Sequence, residues 1–93
     1  MNLYYIYMVE CSDQTIYTGI TVNVDRRLYE HNNTKKGAKY TRCRRPVKLI
    51  CSYPIGNRSN ASKEEYRVKK LSRKYKYLLS TNKGIQHETF KGK

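Results

Sequence analysis

The chain has 93 residues, with 20 Lys and Arg against 7 Asp and Glu and a formal net charge of +13. That length accommodates one hydrophobic core and leaves no room for a second domain of ordinary size. The longest mostly apolar run, Leu3 to Val9, falls far short of the roughly 20 residues a membrane-spanning helix needs, and no basic residue precedes it. A soluble, cytoplasmic protein with no membrane partner is therefore expected.

In chain order, Leu3 to Glu10 reads as a strand, with Tyr5, Tyr7 and Val9 on one face and Tyr4, Ile6 and Met8 on the other. Apolar side chains on both faces predict a central position in a sheet. Ser12, Asp13 and Gln14 form a turn, and Thr15 to Gly19 returns as a second, antiparallel strand. Gly19 permits a sharp departure or a close backbone approach. From Asn23 to about Asn32 the pattern is helical: Asn23 caps, Asp25 suits the first turn, and Val24 and Leu28 share a side. Asn33 to Arg45 has no hydrophobic period and reads as a long basic loop.

Val47 to Tyr53 alternates, placing Val47, Leu49, Cys51 and Tyr53 on one side of a third strand that Pro54 and Gly56 end. A second helical region begins near Ser59 to Ser62, with an apolar stripe of Ala61, Val68, Leu71, Tyr75 and Leu78 and a break near Ser72. The expected order is β-β-α-β-α-α: a mixed α/β (α+β) fold in which a three-stranded antiparallel sheet packs with three helices. Residues 1–79 make the domain and 80–93 a flexible polar tail.

No Lys or Arg occurs before Arg26, so all the positive charge lies after the first two strands. Such density suits a polyanion whose counterions are released on binding, although a merely solvated basic surface has the same composition. Cys11, Cys43 and Cys51 show no C-x-x-C spacing and read as reduced thiols, with zinc bound by these three plus His31 or His87 a distant alternative.

Tyr5-Ile6-Tyr7 and Tyr17-Thr18-Gly19 lie about ten residues apart on the two hairpin strands, succeeded by Arg27-Leu28-x-x-His31 on a helix, a third strand, and a helix bearing Glu64 and Glu65. This ordered set resembles the GIY-YIG endonuclease superfamily, and Gly37 to Arg42 with Glu65 to Arg73 is similar to its short bacterial stand-alone branch, the YhbQ/YazA-like proteins. The likeness covers about residues 1 to 79. The leading Gly of the first signature is Tyr5 here, the middle Ile of the second is Thr18, and the Asn that comes after the Glu helix in several members has no counterpart.

The resemblance implies metal-dependent hydrolysis of nucleic-acid phosphodiester bonds in DNA processing or repair. It makes Tyr7 and Tyr17 the tyrosines that handle water, Arg27 the phosphate clamp, His31 a candidate proton acceptor, and Glu65 the ligand of one Mg²⁺ or Mn²⁺. A free phenol is only about one part in a thousand ionised at pH 7, so His31 is favoured over a tyrosine as the base, with both kept open. Arg27 and His31, four residues apart, project from one helix face, where an ordinary basic surface is the competing reading.

Glu65 competes with a capping box, Ser62-Lys63-Glu64-Glu65, and the helical period does not favour it over Glu64. Lys35, Lys36, Lys39, Tyr40, Arg42, Arg44, Arg45, Lys69, Lys70 and Arg73 form the expected nucleic-acid track, with DNA ranked ahead of RNA and a protein partner for targeting left open. The competing functions are a non-catalytic nucleic-acid-binding module and an adaptor for an acidic protein.

Overall fold

The computed structural model describes residues 3–82 and 85–86. Strand β1 (Tyr4–Glu10) lies between β2 (Ile16–Thr21) and β3 (Lys48–Gly56), antiparallel to both, with Tyr7 opposite Gly19 and Met8 opposite both Thr18 and Cys51. Its alternation produces two apolar faces, as expected of a central strand. Tyr7 and Val9 pack with Val24, Leu28 and Val47, whereas Met8 packs with Cys51, Val68, Leu71 and Leu79.

Helix α1 (Val24–Asn33) supplies the first of these layers, and the Asn23 side chain caps it by accepting the Arg26 amide proton at 3.0 Å. Within the expected loop lies a single helical turn, α2 (Lys39–Arg42), held by backbone bonds and by the buried Thr41 side chain. Its sequence has no hydrophobic period because only one of its four residues turns inward. Helices α3 (Arg58–Lys69) and α4 (Arg73–Asn82) cover the opposite face of the sheet, with Val68 from α3 and Leu79 from α4.

The three-stranded antiparallel sheet and the β-β-α-β-α-α order stand, and two short elements are added: α2, and a two-residue strand β4 (Ile85–Gln86) that pairs with Cys51 and Ser52 on the outer edge of β3. The remainder of the expected tail beyond Asn82 lies outside the described residues.

Three local expectations change. Val47 and Leu49 do not share a side with Cys51 and Tyr53, because the register shifts between Met8 and Val9: Leu49 faces Val9 and Cys51 faces Met8. One extra residue in a bulge moves every later side chain to the other face. Helix α3 starts earlier than Ser59 to Ser62, because Asn57 caps it by accepting the Asn60 amide proton at 2.8 Å. Tyr75 and Leu78 are 59% and 45% exposed, since the break between α3 and α4 resets the helical phase, and Leu79 takes the core position instead.

Thr18 is buried, and its Oγ1 has no hydrogen-bond partner among the described residues. A buried hydroxyl left unsatisfied costs about 1–3 kcal/mol, so Thr18→Val, which keeps the shape and removes the hydroxyl, is expected to stabilise the fold by about 1 kcal/mol. Thermal unfolding should then show a midpoint raised by about 4–8 °C in a domain of this size; an unchanged or lowered midpoint would indicate a partner for Thr18.

Candidate active site

Tyr7 points from β1 into the layer beneath α1. Its ring passes so close to Gly19 that a Cβ there would sit 2.5 Å from the phenol oxygen, so the close-approach role of this glycine is the operative one. The hydroxyl lies 2.7 Å from Nε2 of His31, a fully buried side chain on α1. Nδ1 of His31 lies 2.8 Å from Oγ1 of Thr41, and Thr41 donates to the Ala38 carbonyl at 3.0 Å. Gly37 makes this possible: a Cβ there would meet the His31 Cα at 2.8 Å, so only glycine lets the loop pass against α1.

One proton arrangement satisfies each of these groups. The Thr41 hydroxyl donates to Ala38, Nδ1–H of His31 donates to Thr41, and the Tyr7 hydroxyl donates to Nε2. With the opposite tautomer both His31 and Arg27 would donate to the Tyr7 oxygen, leaving the buried phenol proton without an acceptor. The approach of the Ala38 amide to Nδ1, at 3.4 Å, is too long to reverse this assignment.

Burial pushes the Tyr7 phenol up to about 12, against the pull of the Arg27 guanidinium. Burial, reinforced by Arg27, pushes His31 down to about 4. Both groups are therefore neutral near pH 7. His31, expected as a proton acceptor for water, lies behind Tyr7 with no exposed surface, so its direct partners are Tyr7 and Thr41.

Half-buried Tyr17 is the signature tyrosine nearer the surface, with its ring 6.4 Å from that of Tyr7, 5.3 Å from His31 and 6.0 Å from Tyr40. Arg27 donates from one nitrogen to Glu30 at 2.9 Å and to the Lys36 carbonyl at 2.8 Å. Glu65 pairs with Lys69 at 3.0 Å, and the Lys69 ammonium stands 5.7 Å from the Tyr17 ring centre. Tyr7 senses both sides of the site, since Arg27 favours its ionised form and Glu65 opposes it.

The two glutamates have different surroundings. Glu64 accepts from Tyr53 at 2.8 Å and is gripped by Arg67 through both oxygens, whereas Glu65 pairs with Lys69, whose ammonium stands near the Tyr17 ring, and its charge acts on Tyr7. The capping box does not form, because Ser62 is interior to a helix capped at Asn57.

The expected nucleic-acid track divides. Lys35, Lys36, Lys39, Tyr40, Arg42, Lys69, Lys70 and Arg73 are exposed. Arg45 instead donates to the His31 carbonyl at 2.6 Å and to the Thr34 carbonyl, closing the C-terminus of α1, where free carbonyls attract a cation. Arg44 pairs with Asp13 at 2.9 Å and lies 4.0 Å over the Tyr40 ring. Arg73 stands 3.6 Å from Glu10. Thr41 was missed by sequence reasoning, and nothing in its local pattern distinguishes it from a loop threonine. The three cysteines are free thiols. Among the described residues no group of three His, Cys, Asp or Glu is placed to hold a metal ion.

Residues 3–78 match the family described as the GIY-YIG catalytic domain. The chain belongs to the GIY-YIG family. It is 51% identical over 79 residues to a UPF0213 protein of Syntrophus aciditrophicus, covering 85% of this chain and 91% of that one. A UPF0213 protein of Desulfotalea psychrophila is 49% identical over 84 residues, covering 88% and 76%. The solution NMR structure of a UPF0213 protein from Bacillus halodurans is similar with a TM-score of 0.56 at 43% identity, covering 92% and 90%. GIY-YIG domains are in general those of nucleases, which act on nucleic acid and typically use a divalent metal.

The depressed His31 sets a pH dependence. The unfolded chain takes up a proton near pH 6.5 that the folded site resists down to about 4, so stability present at pH 7 is lost on acidification across that window. The loss amounts to on the order of 3 kcal/mol. Urea unfolding at pH 7 and at pH 4.5 should show this, with the His31 imidazole resonances unchanged from pH 7 to 5; titration of His31 near pH 6.5 would contradict it.

Proposed function

We propose that the chain is a GIY-YIG nuclease that hydrolyses nucleic-acid phosphodiester bonds with one divalent ion, Mg²⁺ or Mn²⁺, on DNA in preference to RNA and in DNA processing or repair. The observation that carries this reading is the gathering of Arg27 and Glu65 about Tyr7, with Tyr17 at the rim and Lys69 linking Glu65 to Tyr17. Glu65 fits such an ion in kind: it is a half-buried carboxylate that pairs with Lys69 through one oxygen, and Mg²⁺, which keeps several waters, needs few protein ligands and would take the place of that ammonium. Bound at Glu65, the ion would acidify water and neutralise charge on the phosphate.

The protein side chains then have distinct tasks. Tyr17, nearer the solvent, orients the attacking water. Tyr7, neutral and tied to His31, holds its hydroxyl at a constant position beneath Tyr17 and stands in front of the histidine. Arg27 leaves the Lys36 carbonyl or shares its remaining donors with a non-bridging phosphate oxygen, favouring the negative charge that grows in the transition state. The exposed Lys35, Lys36, Lys39 and Arg42 track the phosphate backbone.

Labelled single-stranded, duplex and branched DNA and RNA, incubated with Mg²⁺ or Mn²⁺, should be cut by the wild-type protein on at least one substrate. Glu65→Gln should abolish metal-dependent cutting, and Arg27→Ala should lower kcat about 10²- to 10³-fold, the cost of removing one donor to a developing oxyanion. Salt-dependent binding without cutting on every substrate would instead favour a binding module.

A further inference from the structure

Helix α2 has four residues, Lys39 to Arg42, and the two in the middle each contact the site. The Tyr40 ring lies stacked on Tyr17, with an interplanar angle of 24°, and carries the Arg44 guanidinium at 4.0 Å from its centre. Arg44 is itself fixed by Asp13 at 2.9 Å and by the Tyr40 carbonyl at 2.8 Å, so Tyr40 is anchored to the β1–β2 turn. The turn and the loop are joined again where the Ser12 amide donates to the Arg44 carbonyl at 2.9 Å. Thr41 points the other way, fully buried, with Oγ1 2.8 Å from Nδ1 of His31, while Nε2 of the same imidazole lies 2.7 Å from the Tyr7 hydroxyl. The outer residues, Lys39 and Arg42, are exposed cations.

We infer that α2 is the positioning element of the site: Tyr40 sets the ring of Tyr17 by stacking, Thr41 sets the hydroxyl of Tyr7 through the His31 tautomer, and Lys39 and Arg42 tie both to the substrate backbone. The inference rests on the nuclease reading for its kinetic consequence, and on the apo protein for its structural one. Tyr40 therefore serves the site and not the expected nucleic-acid track, because its ring is engaged by Arg44 and Tyr17. Thr41 and Tyr40 touch no reacting atom. They act through the geometry of the two tyrosines, and small displacements of such groups carry large rate penalties.

The test separates the two layers. In wild-type protein, ¹⁵N-detected imidazole spectra should show His31 protonated at Nδ1 and bare at Nε2. Thr41→Val keeps the shape and removes the acceptor, and should shift the tautomer toward Nε2–H, while Thr41→Ser should restore the wild-type spectrum. Tyr40→Leu, at a 39% exposed position, should leave the imidazole spectrum and thermal midpoint unchanged, which keeps the test open if Thr41→Val unfolds. Across a range of substrate concentrations both Thr41→Val and Tyr40→Leu should lower kcat about 10- to 100-fold with KM within about twofold, whereas the Lys39→Ala/Arg42→Ala pair should raise KM more than it lowers kcat. Tyr40→Phe, which keeps the ring, should recover most of the kcat lost in Tyr40→Leu, since the stack uses the ring and not its hydroxyl.

An Nε2–H tautomer in the wild-type protein, or Thr41→Val and Tyr40→Leu proteins that cut at wild-type kcat, would overturn the inference. A wild-type protein that cuts nothing would overturn the nuclease reading, and the imidazole spectra would still decide whether Thr41 sets His31.

Discussion

The hydrogen bond from Tyr7 to His31 is the constraint on which the rest of the site depends. It joins the central strand to α1 through two side chains that are almost wholly buried, in a layer otherwise made of Val9, Val24, Leu28 and Val47. In such surroundings an unpaired donor or acceptor is expensive, so the chain of polar groups must be complete from Tyr7 to the Ala38 carbonyl. Two glycines are consequences of that requirement. Gly19 clears the path of the Tyr7 ring, and Gly37 lets the loop come close enough for Thr41 to finish the chain.

Completing the network decides where charge can and cannot appear. Burial keeps Tyr7 and His31 neutral, so the charged groups of the candidate site are those nearer the surface: Arg27, Glu65 and Lys69. The segregation of charge along the chain does not survive folding. Glu10 and Asp13, from the acidic first part, meet Arg73 and Arg44 from the basic remainder, and Glu30, Glu64 and Glu65 each stand beside a cation of their own helix. These exposed pairs contribute little to stability, but they remove particular cations from competition for a phosphate. Arg45 is removed differently, since the carbonyls that end α1 already hold it.

Legibility in the sequence tracked the range of the interactions. The two faces of β1, the Asn23 cap and the β-β-α-β-α-α order rest on neighbours within a few residues, and each could be read directly. The bulge that turns Leu49 and Cys51 to opposite faces was hidden, because it is set by which residue of β1 lies alongside. The outward turn of Tyr75 and Leu78 was hidden for a similar reason: a break in a helix shifts the phase of every residue beyond it. Thr41 left no local signal, because its partner lies ten residues back and contacts it only when Gly37 brings the loop against α1.

By itself, then, the sequence determined the strand and helix types, the central place of β1, the excess of positive charge, and the ordered motifs whose resemblance to the GIY-YIG family is shown by the match over residues 3–78. Periodicity and composition are properties of the chain, so they can be read without coordinates. Only the tertiary structure decided that Glu64 is engaged by Tyr53 and Arg67 while Glu65 pairs with Lys69 beside Tyr17, that His31 is a buried partner of Tyr7, and that Arg44 and Arg45 are held within the fold. Each of those outcomes depends on which atoms become neighbours when water is excluded, and burial changes both the proton a group holds and the partner it must find.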